Sequence, residues 1–212
     1  MTIDAKDMIN SILDSVSRID YIKPEDLPNI DLYMDQVTTF MEDQLSASKR
    51  YEEDKILTKT MINNYAKNKL LPPPEKKRYS REHLLMLIFI YYFKNILSIS
   101  DIQTLLGPVT EKFFKSTSGK DLTYIYNEVF GMEKGQIEYL KKDLLKRYNA
   151  ASSTFEDADE EDQEFLKKFS FICLLSFDVY VKKMLIEQLI DDMGPECDSK
   201  RSKKVKKQPK EQ

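Results

Sequence analysis

Few residues in this chain are of the types that do covalent chemistry, and their spacing argues against it. His83 is the single histidine, and Cys173 and Cys197 are the two cysteines, far apart and without a CxxC pair. A structural zinc site takes four such ligands in close groups, so a zinc finger is ruled out. Cys173 falls in the apolar run Phe171 to Leu175 and reads as a small buried hydrophobe, while His83 falls in the first turn of a helix, in a solvated or capping role. Ser118-Gly119-Lys120-Asp121 resembles the end of a Walker loop, but Phe114 stands where its first glycine belongs and Asp121 where a magnesium-binding hydroxyl belongs. The stretch 156–164 holds seven carboxylates in nine residues without the glycine that turns a calcium loop, and reads as a solvated linker. No GxSxG, HExxH or GxGxxG is present. No enzymatic activity, metal or cofactor is expected.

Phosphate binding is the chemistry the side chains do offer. The net charge of -3 over 212 residues hides an uneven distribution. Between positions 55 and 94, Lys55, Lys59, Lys67, Lys69, Lys76, Lys77, Arg78, Arg81 and Lys94 face only Glu75 and Glu82, a net of +7. The tail from Ser199 carries +6, which leaves -16 for the remainder. A basic helix with a basic extension inside an acidic chain is the electrostatic footprint of a phosphate-backbone contact. A solvated charged face that keeps the chain soluble gives the same signature.

The elements that must position these residues are mainly helical. Charged residues make up 33% and only 5 glycines occur, a composition that suits amphipathic helices better than turn-rich β folds. Apolar spacing predicts a helix from Ile3 to Ile19, ended by Pro24 and Pro28, and a second marked by Leu32, Val37, Phe40, Met41 and Leu45. Thr58 is the expected N-cap of a helix running to Lys69, with Met61, Ile62 and Tyr65 inward. Pro72-Pro73-Pro74 forces an extended excursion before Ser80 caps a long helix from Arg81 to about Ile96. Ser98-Ile99-Ser100-Asp101 reads as a capping box opening a short helix that Gly107-Pro108 closes. Short pieces at 109–115 and 122–130 follow, then a helix ending near Asn149. From Gln163 to Met193 runs the longest helix, whose stripe Phe165, Phe169, Ile172, Val179, Ile186, Ile190 and Met193 is close to a heptad seam with Ser176 and Lys183 as defects. A helix apolar on nearly every face needs several neighbours; a dimer interface and a bundle core both supply them. The apolar runs Leu84 to Phe93 and Phe169 to Val181 are short of the roughly 20 residues a membrane span takes, so no membrane contact is expected. With no secretory signal at the start of the sequence and no paired thiols, the cytoplasm is the expected compartment.

At Met61-Ile62-Asn63-Asn64-Tyr65-Ala66-Lys67-Asn68-Lys69-Leu70-Leu71-Pro72, Lys77-Arg78-Tyr79-Ser80 and Ser98-Ile99-Ser100-Asp101-Ile102, the sequence resembles the winged helix-turn-helix of MerR-type transcription regulators. Over 30–106 it more closely resembles the bacterial family known as domain of unknown function 1836. Apolar spacing and composition predict a mainly α fold with an N-terminal helix (1–29) and a disordered basic tail (199–212), and the resemblance implies that between them lie a winged helix-turn-helix DNA-binding domain (30–108) with a small β wing and a helical dimerisation region (109–198). It also implies a DNA-binding regulator with a recognition helix, 58–69, in the major groove and a basic wing, 72–79, on phosphates. Asn63 aligns with a phosphate-contacting Arg, Tyr65 with the family's Tyr, Lys77 and Tyr79 with the wing's Arg-x-Tyr, and Lys69 with a helix-ending Gly. The expected double-stranded-DNA contacts are Lys59, Asn63, Asn64, Tyr65, Lys67, Lys69, Lys76, Lys77, Arg78, Tyr79 and Arg81, with Tyr65 equally readable as a packed aromatic. Asn63 or Asn64 is the expected base reader, since Asn pairs bidentately with adenine. The expected partner is a second copy through the C-terminal helices. A small-molecule effector stays open. The alternative is an all-helical adaptor that keeps the winged scaffold as a protein-binding surface.

Overall fold

The computed structural model describes residues 5–17 and 21–194. The basic tail 199–212 and Cys197 lie outside the described residues. The chain is mainly helical, with eight α-helices and one two-stranded ribbon among the described residues. No described helix is long and apolar enough to cross a membrane. The chain divides into two units, one of 1–24 with 126–182 and one of 25–125 with 183–212.

In the first unit, α1 (Ala5–Ser17) packs against α7 (Glu133–Ser152). Ile9, Ala151 and Phe171 form a buried cluster edged by Leu13, Tyr148 and Leu175. Tyr126 is fully buried; its ring lies 4.3 Å from that of Phe130 and its hydroxyl donates to the Ile22 carbonyl at 2.7 Å. That bond removes the penalty of burying a phenol unpaired.

The second unit is built around α4 (Arg81–Phe93). Leu84, Leu85, Met86, Leu87, Ile88 and Ile90 have no exposed surface, as a helix apolar on every side requires. Its start is held by the Ser80 amide, which donates to His83 Nδ1 at 3.0 Å. His83 is therefore a capping residue, and it is only 1% exposed rather than solvated. The expectation for the second helix needs a correction: Leu32 and Tyr33 form strand β1, and α2 is Met34–Leu45. β1 pairs antiparallel with β2 (Arg78–Tyr79), Leu32 opposite Tyr79 and Tyr33 opposite Arg78.

The long stretch from Leu45 to Thr58 is anchored rather than loose. Ile56 and Leu57 are buried, Lys49 pairs with Glu42, and Lys94 Nζ donates to the Ile56 carbonyl at 2.7 Å. Burial of that ammonium pushes its pKa down. The box at Ser98 forms as expected: the Asp101 amide donates to Ser98 Oγ and the Ser98 amide to Asp101 Oδ2, each at 3.2 Å. The helix it opens does not stop at Gly107-Pro108, however, and α5 runs Ile99–Phe113. Pro108 forfeits one amide bond to the Thr104 carbonyl, while the partly buried Val109, Thr110 and Phe113 extend the stripe begun by Ile102 and Leu106. Packing along the stripe outweighs the lost bond. The remaining helices are α3 (Lys59–Lys67), α6 (Leu122–Gly131) and α8 (Glu160–Met193).

Candidate nucleic-acid interface

Helix α3 (Lys59–Lys67) starts where the Thr58 hydroxyl accepts from the Met61 amide at 3.2 Å. Helical spacing then sorts its residues. Ile62 and Tyr65 are buried, whereas Lys59, Thr60, Asn63, Asn64 and Lys67 are exposed. Tyr65 is 7% exposed, so it is a packed aromatic, and burial raises its hydroxyl pKa. The helix ends in a Schellman motif: Lys69 is left-handed (φ 58), its amide donates to the Ala66 carbonyl at 3.1 Å, and the Leu70 amide donates to Tyr65 at 2.9 Å. Lys69 thus takes the conformation a glycine adopts without penalty. Gln103 holds the helix end by donating to the Asn68 carbonyl.

Leu70 and Leu71 are buried and fix the exit, after which the three prolines run extended to Glu75. Residues 75–78 make a tight reversal, with the Arg78 amide donating to the Glu75 carbonyl at 2.8 Å and both central residues left-handed, Lys76 at φ 49 and Lys77 at φ 63. That is a type I′ turn, which normally carries Asn-Gly because β-carbons crowd the left-handed region. Here two lysines hold it. The turn is braced from both sides: Lys115 pairs with Glu75 and keeps its carboxyl below the usual range, and Arg78 Nε donates to the Tyr33 hydroxyl at 3.3 Å with its guanidinium 5.4 Å from the ring centre.

Beneath the turn, Tyr79 is 4% exposed and packs edge-on against His83 at 5.5 Å, and His83 meets Phe114 at 4.9 Å. Tyr79 is therefore an anchor of the strand, not a presented side chain, and burial raises its pKa. With His83 Nδ1 accepting from Ser80, the ring proton belongs on Nε2, which is buried near the Pro72 and Pro73 carbonyls without an aligned hydrogen bond. Burial holds the imidazole pKa below the ordinary range.

The expected contact residues divide into three groups. Asn63, Asn64, Lys67, Lys69, Lys76 and Lys77 are exposed, and those lysines make no ion pair among the described residues. Lys59 is exposed but paired with Asp35, Arg78 is exposed and lies on Tyr33, and the half-buried Arg81 donates to Asn29 Oδ1 at 3.1 Å. Tyr65 and Tyr79 face the core. Sequence reasoning missed Lys115, Tyr33 and His83 as supports of the turn. Lys115 lies outside the basic stretch, and no local pattern ties it to Glu75.

A family model described as a domain of unknown function, DUF1836, matches residues 22–129, just over half of the chain. The chain belongs to this family. The DUF1836 segment takes in β1 through most of α6, and so the whole of α3, the proline arm and the turn. It extends beyond the 30–106 over which the resemblance is legible in the motifs. No curated protein and no solved structure matches the chain.

Proposed function

We propose that this DUF1836 protein is a DNA-binding transcriptional regulator, with a MerR-like winged helix-turn-helix that lays α3 in the major groove and turn 75–78 on the flanking phosphates. The observation that carries the reading is the turn. A non-glycine residue in the left-handed region costs roughly 1–2 kcal/mol, and strain of this kind collects at functional sites. Lys76 and Lys77 accept that cost at the tip of a braced hairpin, where their ammonium groups reach into solvent. The uncharged, exposed Asn63 and Asn64 on α3 have the amide chemistry to read adenine. Tyr65 and Tyr79 position the two elements and leave the contacts to their neighbours.

Glycine substitution separates strain from function. Lys76→Gly with Lys77→Gly raises unfolding stability by about 1 kcal/mol while lowering duplex affinity and reducing the log-log salt slope by about two units. A double variant that binds duplex DNA as the parent does, with the same slope, sinks the assignment. Genome-wide footprinting of the tagged full chain then names the operator.

Subunit pairing is supported by α8. Phe165, Phe169, Phe177 and Tyr180 are 51–67% exposed and, with Ile172 and Val179, present roughly 600–800 Å² of apolar surface, above the usual largest patch of a monomer and near one side of a standard interface. A second copy of the chain is the proposed occupant. The same surface favours the adaptor reading, in which a foreign protein sits there; that reading predicts a stable heteromeric complex and no sequence-selective footprint at physiological salt.

A further inference from the structure

A cleft of about 550 Å³ opens within the first unit, between α1, α7 and α8. Its size is that of a small-molecule site, roughly 300–1,000 Å³. One wall is apolar, from Val16, Ile137 and Leu140, with Tyr139 at the rim, 71% exposed. The other end is ionic. Arg147 Nε donates to Asp143 Oδ2 at 2.6 Å, Arg147 Nη2 to Asp178 Oδ1 at 3.2 Å, and Lys182 Nζ to Asp178 Oδ2 at 2.7 Å.

The unused valences of this cluster are lopsided. Both oxygens of Asp178 are engaged, and hydrogen bonding to Lys182 and Arg147 holds its carboxyl below the ordinary range. Among the described residues Arg147 keeps both hydrogens of Nη1, and Lys182 keeps two of its three. Among the described residues the cluster is neutral overall, two cations set against two carboxylates, and the hydrogen-bonding capacity left over is two cationic donors against a single free acidic oxygen on Asp143. Such an end suits a small anionic head, and a guanidinium fork matches a carboxylate in particular.

We propose that this cleft binds an amphipathic carboxylate, its apolar body along Val16, Ile137 and Leu140 and its carboxylate on Arg147 and Lys182. The site does not depend on the DNA reading, and its test is direct binding to the full chain. Sodium decanoate, below its micellar concentration, binds in calorimetric titration, and decanol and decylamine bind at least about tenfold more weakly. Lys182→Gln, at an exposed position, weakens decanoate about tenfold, and Leu140→Asp removes binding, with circular dichroism of both variants unchanged. Equal affinity for decanol overturns the proposal, because the head group is then not read. So does decanoate binding that either variant leaves intact, or no binding at millimolar decanoate. A change of sedimenting mass in Leu140→Asp without decanoate also overturns it, since that wall is then an interface between chains.

Discussion

Helices α4 and α8 are both apolar around most of their circumference, yet one is surrounded and the other is bare. Along α4, nine consecutive residues from His83 to Tyr91 are buried. Along the 34 residues of α8, only Phe171 and Ile190 are buried, and six members of the heptad stripe, Phe165, Phe169, Ile172, Val179, Ile186 and Met193, are exposed. Cys173 is exposed too, against the expectation that it fills a core. An apolar helix states a demand for neighbours. In α4 the surrounding parts of its own chain meet that demand, and in α8 the described residues leave it largely unmet.

The largest effect that sharpens this contrast is a charge in α4. Leu87→Asp buries an unpaired carboxylate and should cost more than about 4 kcal/mol in urea denaturation, enough to unfold a marginal domain. The matched change in α8, Phe169→Glu with Phe177→Glu, should leave unfolding stability within about 1 kcal/mol while sedimentation equilibrium shifts from paired to single chains. If the α8 variant unfolds the chain as the α4 variant does, the two helices are not different in kind.

Acidification gives a smaller, α4-specific effect. The folded chain holds His83 neutral below the ordinary histidine range, so the unfolded chain takes the proton first. Stability is full above about pH 6.5 and is lost as pH falls from there through the lower folded value. His83→Phe should flatten that slope, measured by denaturation midpoints across the window. The smallest effect belongs to Cys173. On a Cys197→Ser background its thiol should react with an aromatic disulfide without denaturant, and more slowly as chain concentration rises through the pairing range. Cys173→Ser should move stability by no more than about 0.5 kcal/mol.

The same contrast separates what could be read from the sequence. Thr58, Ser98 and the proline arm were legible because a cap or a proline acts on its immediate neighbours, within four residues. Leu32 was misread as helical because its partner is Tyr79, far along the chain. Pro108 was misread because the stripe through Val109 and Phe113 overrode a local breaker. Cys173 was misread because hydrophobic spacing reports which face wants burial, never which chain supplies the cover. At the candidate interface the exposed amides and lysines of α3 followed from helical period, but the left-handed lysines of the turn did not, since neither is a residue that prefers such backbone.

The ribbon that holds the turn has a consequence in time. Tyr33 and Arg78 meet across 45 residues of chain, and a loop that long closes late, after local helices have formed. With two residues on each strand, the ribbon adds little stability of its own. Once α3 and α4 have docked, the reversal at 75–78 should be fastened late and, held by exposed contacts to Lys115 and Tyr33, should open early, its amides exchanging with solvent while those of α4 stay protected. A ligand held at the tip would act as the clasp on a closed loop, and would slow the opening of the whole segment between β1 and β2.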